Sequence, residues 1–165
     1  MNIEALAPYL PQKGPFLLLD EIIDHDFMKS VVIKKTLLKE DPIFKNHFPD
    51  NPIYPGSYLI EMSAQAAQLI FIGLEDFFKS NESINQKDIL RGRVLKVENV
   101  KFIEEVKPGQ TLEAHVVLTQ FLDSANCAKI SFKITSENRV VSKGRIMLGF
   151  AASGEQTDEN KQTLQ

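Results

Sequence analysis

The chain has one cysteine, Cys127, and no tryptophan. A single thiol excludes an internal disulfide framework and fits a reducing, cytoplasmic setting. Neither sign of charge dominates: 19 Lys and Arg stand against 22 Asp and Glu, a formal net charge of -3. A field that weak does not gather nucleic acid or an anionic membrane surface. No apolar run reaches the roughly 20 residues a bilayer requires. The richest stretch, 57–78, is interrupted by Glu61, Gln65, Gln68, Glu75 and Asp76. The first residues, Met1-Asn2-Ile3-Glu4, lack the basic start and apolar centre of a secretion signal. No His, Cys, Asp or Glu set has metal-ligand spacing, and neither a phosphate-cradling glycine loop nor a G-x-S-x-G elbow occurs.

What is present reads as one domain over 1–152, with a polar tail over 153–165 that lacks aromatic and β-branched apolar side chains and is expected to be disordered. Residues 3–9 suit a short helical turn. Strands are expected over Phe16–Ile23 and Val31–Leu38. Asp41-Pro42 reads as a helix start, with Asp41 capping and Pro42 in the first helical position. A long apolar helix follows from Ser57, its expected cap, to about Lys79, and 81–89 reads as a polar loop. Four more strands, Val94–Phe102, Thr111–Phe121, Ala128–Thr135 and Val140–Phe150, are expected in hairpin succession around the turns at Pro108-Gly109, Asp123–Asn126 and Glu137-Asn138. A helix apolar on nearly all sides needs a wrapping partner. One antiparallel sheet curled around it satisfies that need, so the class is α+β.

The chemistry concentrates in Asn46-His47-Phe48-Pro49-Asp50-Asn51-Pro52-Ile53-Tyr54-Pro55-Gly56 and the helix after it. Three prolines in seven residues forbid regular helix and restrict the loop that holds His47. Gly56 suits a sharp turn or a close approach to a ligand. Glu61, Gln65 and Gln68 fall at i, i+4 and i+7, one face of a helix that is otherwise apolar. Such a polar stripe must be satisfied or functional, and Gln65 is placed to hydrogen-bond Glu61. An imidazole near a carboxyl group in a dry site is suited to acid–base work. Elsewhere, His25 reads as part of a solvated turn and His115 as a structural strand residue. The basic cluster Arg91, Arg93, Lys96 and Lys101 reads as a solvated strand face, with docking of an acidic partner as its functional alternative.

His47-Phe48-Pro49…Pro52…Pro55-Gly56 with Glu61 and Gln65 at their offsets resembles the β-hydroxyacyl-acyl-carrier-protein dehydratases of the hot-dog fold, most closely the Glu-bearing (FabZ-type) branch. Leu10-Pro11…Pro15-Phe16-Leu17-Leu18-Leu19-Asp20 resembles that family's opening motif. Val100-Lys101-Phe102 with Val106-Lys107-Pro108-Gly109-Gln110 resembles a later one. The likeness spans about residues 8–151.

The resemblance implies a central helix inside a curled sheet and a homodimer with shared active sites, of the kind that family members often assemble into a trimer of dimers. It implies that His47 removes the α-proton of a (3R)-3-hydroxyacyl thioester carried on acyl carrier protein, and that Glu61 of the partner subunit protonates the leaving hydroxyl. Gly56 would polarise the thioester carbonyl and Gln65 would orient Glu61. No metal or organic cofactor is implied. Phe48, Tyr54, Tyr58 and Phe102 are candidates for shaping the acyl tunnel.

The chain departs from the pattern at Tyr54, where Met is common, and at Gln12-Lys13-Gly14, in place of a His-Arg-Tyr-like triplet. It departs again at Glu104-Glu105, where basic residues are usual near the carrier-docking surface. The first two departures bear on the substrate tunnel or its gate; the acidic doublet weakens an ordinary docking face and, beside ordinary fatty-acid synthesis, points toward a specialised lipid or polyene pathway or a different carrier. Two other readings keep the fold: a hot-dog acyl thioesterase and a non-catalytic acyl-binding module.

Overall fold

The computed structural model describes residues 1–3, 10–72 and 91–151. The elements follow in the order β1 (Glu21–Asp26), β2 (Ser30–Thr36), α1 (Pro42–Asn46), α2 (Gly56–Leu69), β3 (Arg91–Phe102), β4 (Thr111–Leu122), β5 (Cys127–Ser136) and β6 (Arg139–Ala151). The strands form one antiparallel sheet in the order β1-β2-β4-β5-β6-β3. This is the expected α+β plan, a helix against a single antiparallel sheet.

Alternation makes the two faces of that sheet. On β5, Ala128, Ile130, Phe132 and Ile134 are buried, while Lys129 and Lys133 point to solvent. The buried face packs on α2, where Leu59, Met62, Ala66, Ala67 and Leu69 join Ile33, Leu112, Ile146 and Leu148 in one core. Each large side chain removed from water in this way contributes about 1.5–3 kcal/mol. The start of α2 has no side-chain cap, so tertiary packing rather than capping sustains the helix.

Several expectations are corrected. The apolar run Phe16–Leu19 is not a strand. Gly14–Phe16 forms a single 3-10 turn, and the strand begins only at Glu21. The Leu18 N–H and Phe16 carbonyl are engaged by the Gln65 side chain, which removes both from any sheet ladder. The cap of α2 is Pro55, not Ser57, and Gly56 is the first helical residue.

The helix stops at Leu69, short of the expected Lys79. Ile70, Phe71 and Ile72 donate three residues back, to Ala67, Gln68 and Leu69, the tightening that closes helices. A His25 ring nitrogen meets the Leu69 carbonyl at 2.9 Å, and the Met28 N–H donates to the Ile70 carbonyl at 2.9 Å. His25 therefore serves the helix end rather than a solvated turn. Nothing in the local sequence marks this stop, because the residues that receive the helix come from β1 and the turn after it.

The last four strands are also not a plain succession of hairpins. β3 crosses to the far edge and pairs with β6, while β4, β5 and β6 follow one another as expected. The expectations for 4–9, 73–90 and the tail 153–165 lie outside the described residues. No described helix is long and apolar enough to cross a membrane.

Candidate active site

The loop that carries His47 is held by its own backbone. Asp41 accepts from the Ile43 N–H at 3.0 Å and Pro42 opens α1, as expected. His47 ends that helix by donating its N–H to the Ile43 carbonyl. Phe48 and Asn51 exchange backbone bonds of 3.3 and 3.1 Å, and the Ile53 N–H donates to the His47 carbonyl at 2.9 Å. The His47 ring closes the same loop, with Nδ1 3.0 Å from the Ile53 carbonyl oxygen. A carbonyl only accepts, so Nδ1 carries the proton. In the neutral ring Nε2 then keeps its lone pair, the state a general base needs. The Phe48 ring stacks on His47, with centroids 4.1 Å apart.

The segment after β3 fastens this loop from outside. The Tyr54 N–H donates to the Val106 carbonyl at 2.7 Å. Lys107 Nζ donates to Asn51 Oδ1 and pairs with Glu105 Oε2, each at 2.7 Å. Glu104 pairs with Arg139 at 3.3 Å. The acidic doublet Glu104-Glu105 is therefore neutralised within the chain, which its sequence position did not reveal. Lys107 was in plain view two residues on. Arg139 reaches Glu104 only because β6 lies beside β3.

At the start of α2 an ideal Cβ on Gly56 would lie 2.7 Å from Phe102 Cε1. Only glycine lets that ring close over the helix N-terminus. The first N–H groups of a helix have no carbonyl one turn earlier and carry a partial positive charge.

Gln65, 1% exposed, makes three bonds of 2.9 Å: Oε1 accepts from the Leu18 N–H, and Nε2 donates to the Phe16 carbonyl and to Glu61 Oε1. The Leu18 N–H can only donate, which sets the orientation of the amide. Gln65 thus holds Glu61 as expected, and the Phe16–Leu18 segment holds Gln65. The sequence marks that segment as strand-like and as part of a motif, but its hold on Gln65 shows only in the fold. Gln68, also buried, accepts from the Gly92 N–H at 3.2 Å and ties α2 to β3.

A cavity of about 480 Å³ is lined by His47, Ile53, Tyr54, Gly56, Leu59 and Phe102, with Glu104 and Glu105 also on its wall. Of the candidate residues it gathers His47, Tyr54, Gly56 and Phe102. Glu61, Gln65, Phe48 and Tyr58 are not on its wall. Tyr58 instead packs edge-on to Phe16 and Tyr54, at 6.4 and 5.6 Å between centroids. Burial pushes the Tyr54 phenol well above its ordinary range, and Asp41, Tyr58 and Asp20 push it the same way. It stays protonated. His115 pairs with Glu113 at 2.6 Å on the outer sheet face, a structural place as expected. Among the described residues no group of three or more His, Cys, Asp or Glu could hold a metal.

A FabA-like domain model matches residues 10–145. The 3-hydroxyacyl-[acyl-carrier-protein] dehydratase FabZ of Rickettsia massiliae is 31% identical over 145 residues, covering 88% of this chain and 92% of that protein. Its counterpart in Rickettsia akari is 30% identical over the same spans. Among solved structures, the dehydratase heterocomplex ApeI:P from Xenorhabdus doucetiae has a TM-score of 0.66 at 18% identity, covering 93% of each chain. A hypothetical thioesterase with coenzyme A from Streptococcus pneumoniae has a TM-score of 0.56 at 16% identity, covering 80% of this chain and 85% of that one. The structural likenesses are likenesses of fold. The family match spans nearly the whole described domain, motif loop and helix included, and the chain belongs to the FabA-like family.

Proposed function

We propose that the protein dehydrates (3R)-3-hydroxyacyl thioesters on acyl carrier protein, giving a trans-2-enoyl thioester and water. His47 Nε2 takes the α-proton. The electron pair left behind forms the C2–C3 double bond as the C3–O bond breaks. Glu61 of a second subunit gives its proton to the departing hydroxyl. The Gly56 N–H, at the positive end of α2, holds the thioester oxygen as charge builds there. Gln65 fixes the carboxyl group that must be aimed.

The observation that carries this reading is the 3.0 Å contact of His47 Nδ1 with the Ile53 carbonyl, which leaves Nε2 free to act as the base, with the ring on the wall of a cavity shared with Gly56. A base and a carbonyl-polarising group in one cavity suit proton abstraction beside a thioester. Hydrolysis needs no base at the α-carbon, so the same pair disfavours the thioesterase reading, and a binding module needs neither. Glu61 is not on the wall of the cavity that holds the base, and the two carboxylates that are, Glu104 and Glu105, are ion-paired with Arg139 and Lys107; this supports a site completed by another copy of the chain in a homodimer. Assembly of such dimers into a trimer of dimers belongs to the same proposal.

Hydration of a trans-2-enoyl thioester, followed by loss of its ultraviolet absorbance, tests it. His47→Ala and Glu61→Gln should each lose on the order of 10²–10⁴ in rate. Mixing the two dead variants after mild dissociation should restore roughly one quarter of parental activity, because half the dimers are mixed and each mixed dimer has one intact site. Parental rates in either variant would overturn the mechanism. No recovery on mixing would overturn the shared site.

A further inference from the structure

The segment Phe16–Leu18 precedes β1 and belongs to no strand, yet it is held on both sides. A 3-10 turn opens it, with Gly14 in a left-handed backbone, φ 57°, and the Leu17 N–H donating to the Gly14 carbonyl at 3.0 Å. Leu18 and Leu19 are buried in the core. Asp20 then pins the chain to β2. Its N–H donates to the Lys34 carbonyl at 3.0 Å, and its carboxylate accepts from the Thr36 N–H and from Lys35 Nζ, each at 2.7 Å. Between these anchors the Phe16 carbonyl and the Leu18 N–H both turn to one side chain of α2, Gln65.

Two one-way groups therefore fix the amide. The Leu18 N–H can only donate, so it faces Oε1. The Phe16 carbonyl can only accept, so it faces Nε2. Turning the amide over would set donor against donor and acceptor against acceptor, at a side chain that is 1% exposed and has no water to turn to. The second hydrogen of Nε2 goes to Glu61 Oε1 at 2.9 Å. In a carboxylic acid the carbonyl oxygen is the better acceptor. Oε1 takes that part, and the acid proton resides on Oε2.

We infer that the Phe16 carbonyl and the Leu18 N–H are positioning groups of the reaction: through Gln65 they make Glu61 Oε2 the oxygen that carries the acid proton and passes it to the departing hydroxyl. The inference rests on the dehydratase reading above. In that step the Oε2–H bond breaks as the C3–O bond breaks. The hydrogen joins the leaving oxygen to make water, and the electron pair of the Oε2–H bond stays on the carboxylate. The new charge spreads to Oε1, where Nε2 is already in place. A hydrogen bond to a charged acceptor is roughly twice as strong as one to a neutral acceptor. The contact from Gln65 thus tightens while the proton leaves, and an interaction that strengthens along the step accelerates it. The Phe16–Leu18 segment holds the amide still, so that this gain costs no rearrangement.

The test replaces the Leu18 amide by an ester, using the α-hydroxy analogue of leucine at position 18, so that one N–H is lost and the side chain is kept. With a 3-hydroxyacyl thioester, kcat should fall about fivefold with KM little changed, and the acid limb of the pH profile should move. In a Gln65→Leu background the ester should cost nothing further, because the N–H acts through that amide. Leu19→Ala, which opens the same core, should lower the melting temperature and leave kcat and the acid limb in place. Infrared spectra read the clamp without turnover or an altered backbone. With carboxyl-labelled glutamate, the difference between parent and Glu61→Gln isolates the Glu61 acid band, and its carbonyl stretch should rise in Gln65→Leu, where Oε1 loses its donor. An unchanged kcat in the ester variant, equal losses with and without Gln65, or an acid band that does not move overturns the assignment. A parent that turns over no 3-hydroxyacyl thioester refutes dehydration instead, and the band still decides which oxygen Gln65 holds.

Discussion

Of the two sheet edges, β1 runs for six residues and presents Asp24 and Asp26, whereas β3 runs for twelve and leaves Val94, Leu95 and Val97 open to solvent. β1 also bulges after Ile22, and the N-terminus lies along it: Asn2 bridges Glu21, and the Ile22 N–H donates to the Met1 carbonyl at 2.7 Å. Shortness, charge, a bulge and a covering segment are the devices that keep an edge from pairing with another chain. β3 has no covering segment among the described residues, and it ends in exposed Phe102, followed by exposed Ile103, beside the cavity that holds His47. One edge is closed against association. The edge that leads into the incomplete site is open, and this is where the proposed second subunit would add its own β3 and bring its Glu61.

The comparison can be broken with one substitution made on each edge. Val97→Lys on β3 should leave a monomer by light scattering, with dehydratase activity reduced about 100-fold or more, because each site loses its partner acid. Ile23→Lys on β1 replaces a residue equally exposed. It should change neither oligomeric state nor rate, and should stay within about 0.5 kcal/mol of parental stability. Matching behaviour of the two variants would remove the distinction between the edges.

A smaller effect should follow from loosening the acid. Gln65→Leu strands the Leu18 N–H and the Phe16 carbonyl, at a cost of about 1–3 kcal/mol, and releases Glu61. We expect kcat to fall about tenfold with KM little changed, and the acid limb of the pH profile to move, which a purely structural loss would not cause. Gln65→Glu should not rescue it, since it sets a second carboxyl group against Glu61.

The smallest effect concerns Tyr54. Its phenol is raised in the folded protein above the ordinary value of about 10. The unfolded chain therefore gives up this proton first. The stabilisation is complete below about pH 10 and is lost as pH climbs above it. Tyr54→Phe should flatten the alkaline fall in melting temperature without altering stability at neutral pH by more than about 1 kcal/mol. An unchanged alkaline slope would exclude Tyr54 as its source.

The loop at 47–56 was legible because its constraints are local. Prolines limit their own and the preceding residue's backbone wherever they stand, and Asp41-Pro42 starts a helix by bonds within three residues. The stripe Glu61, Gln65, Gln68 was legible for the same reason, since helical spacing alone places it on one face. The Phe16–Leu19 run was misread as strand because its composition suits a strand, while a side chain 47 residues away claims its N–H. The early end of α2 and the place of β3 at the sheet edge were equally hidden. Both depend on which distant backbone groups the helix end and the strand meet.

The sequence by itself determined the residues able to do acid–base chemistry, the antiparallel α+β plan and the closeness of His47 to the start of the helix, all through restrictions that act within a few residues. Only the tertiary structure decided that Glu104 and Glu105 each meet a cation, that Lys101, Lys143 and Lys133 stand opposite one another on three strands, and that Glu61 lies off the wall of the cavity that holds the base. Those facts depend on strand register and on a bulge that aligns residues 10 to 42 positions apart. The free energy of such pairings resides in contacts between distant segments, and no local pattern of residues records it.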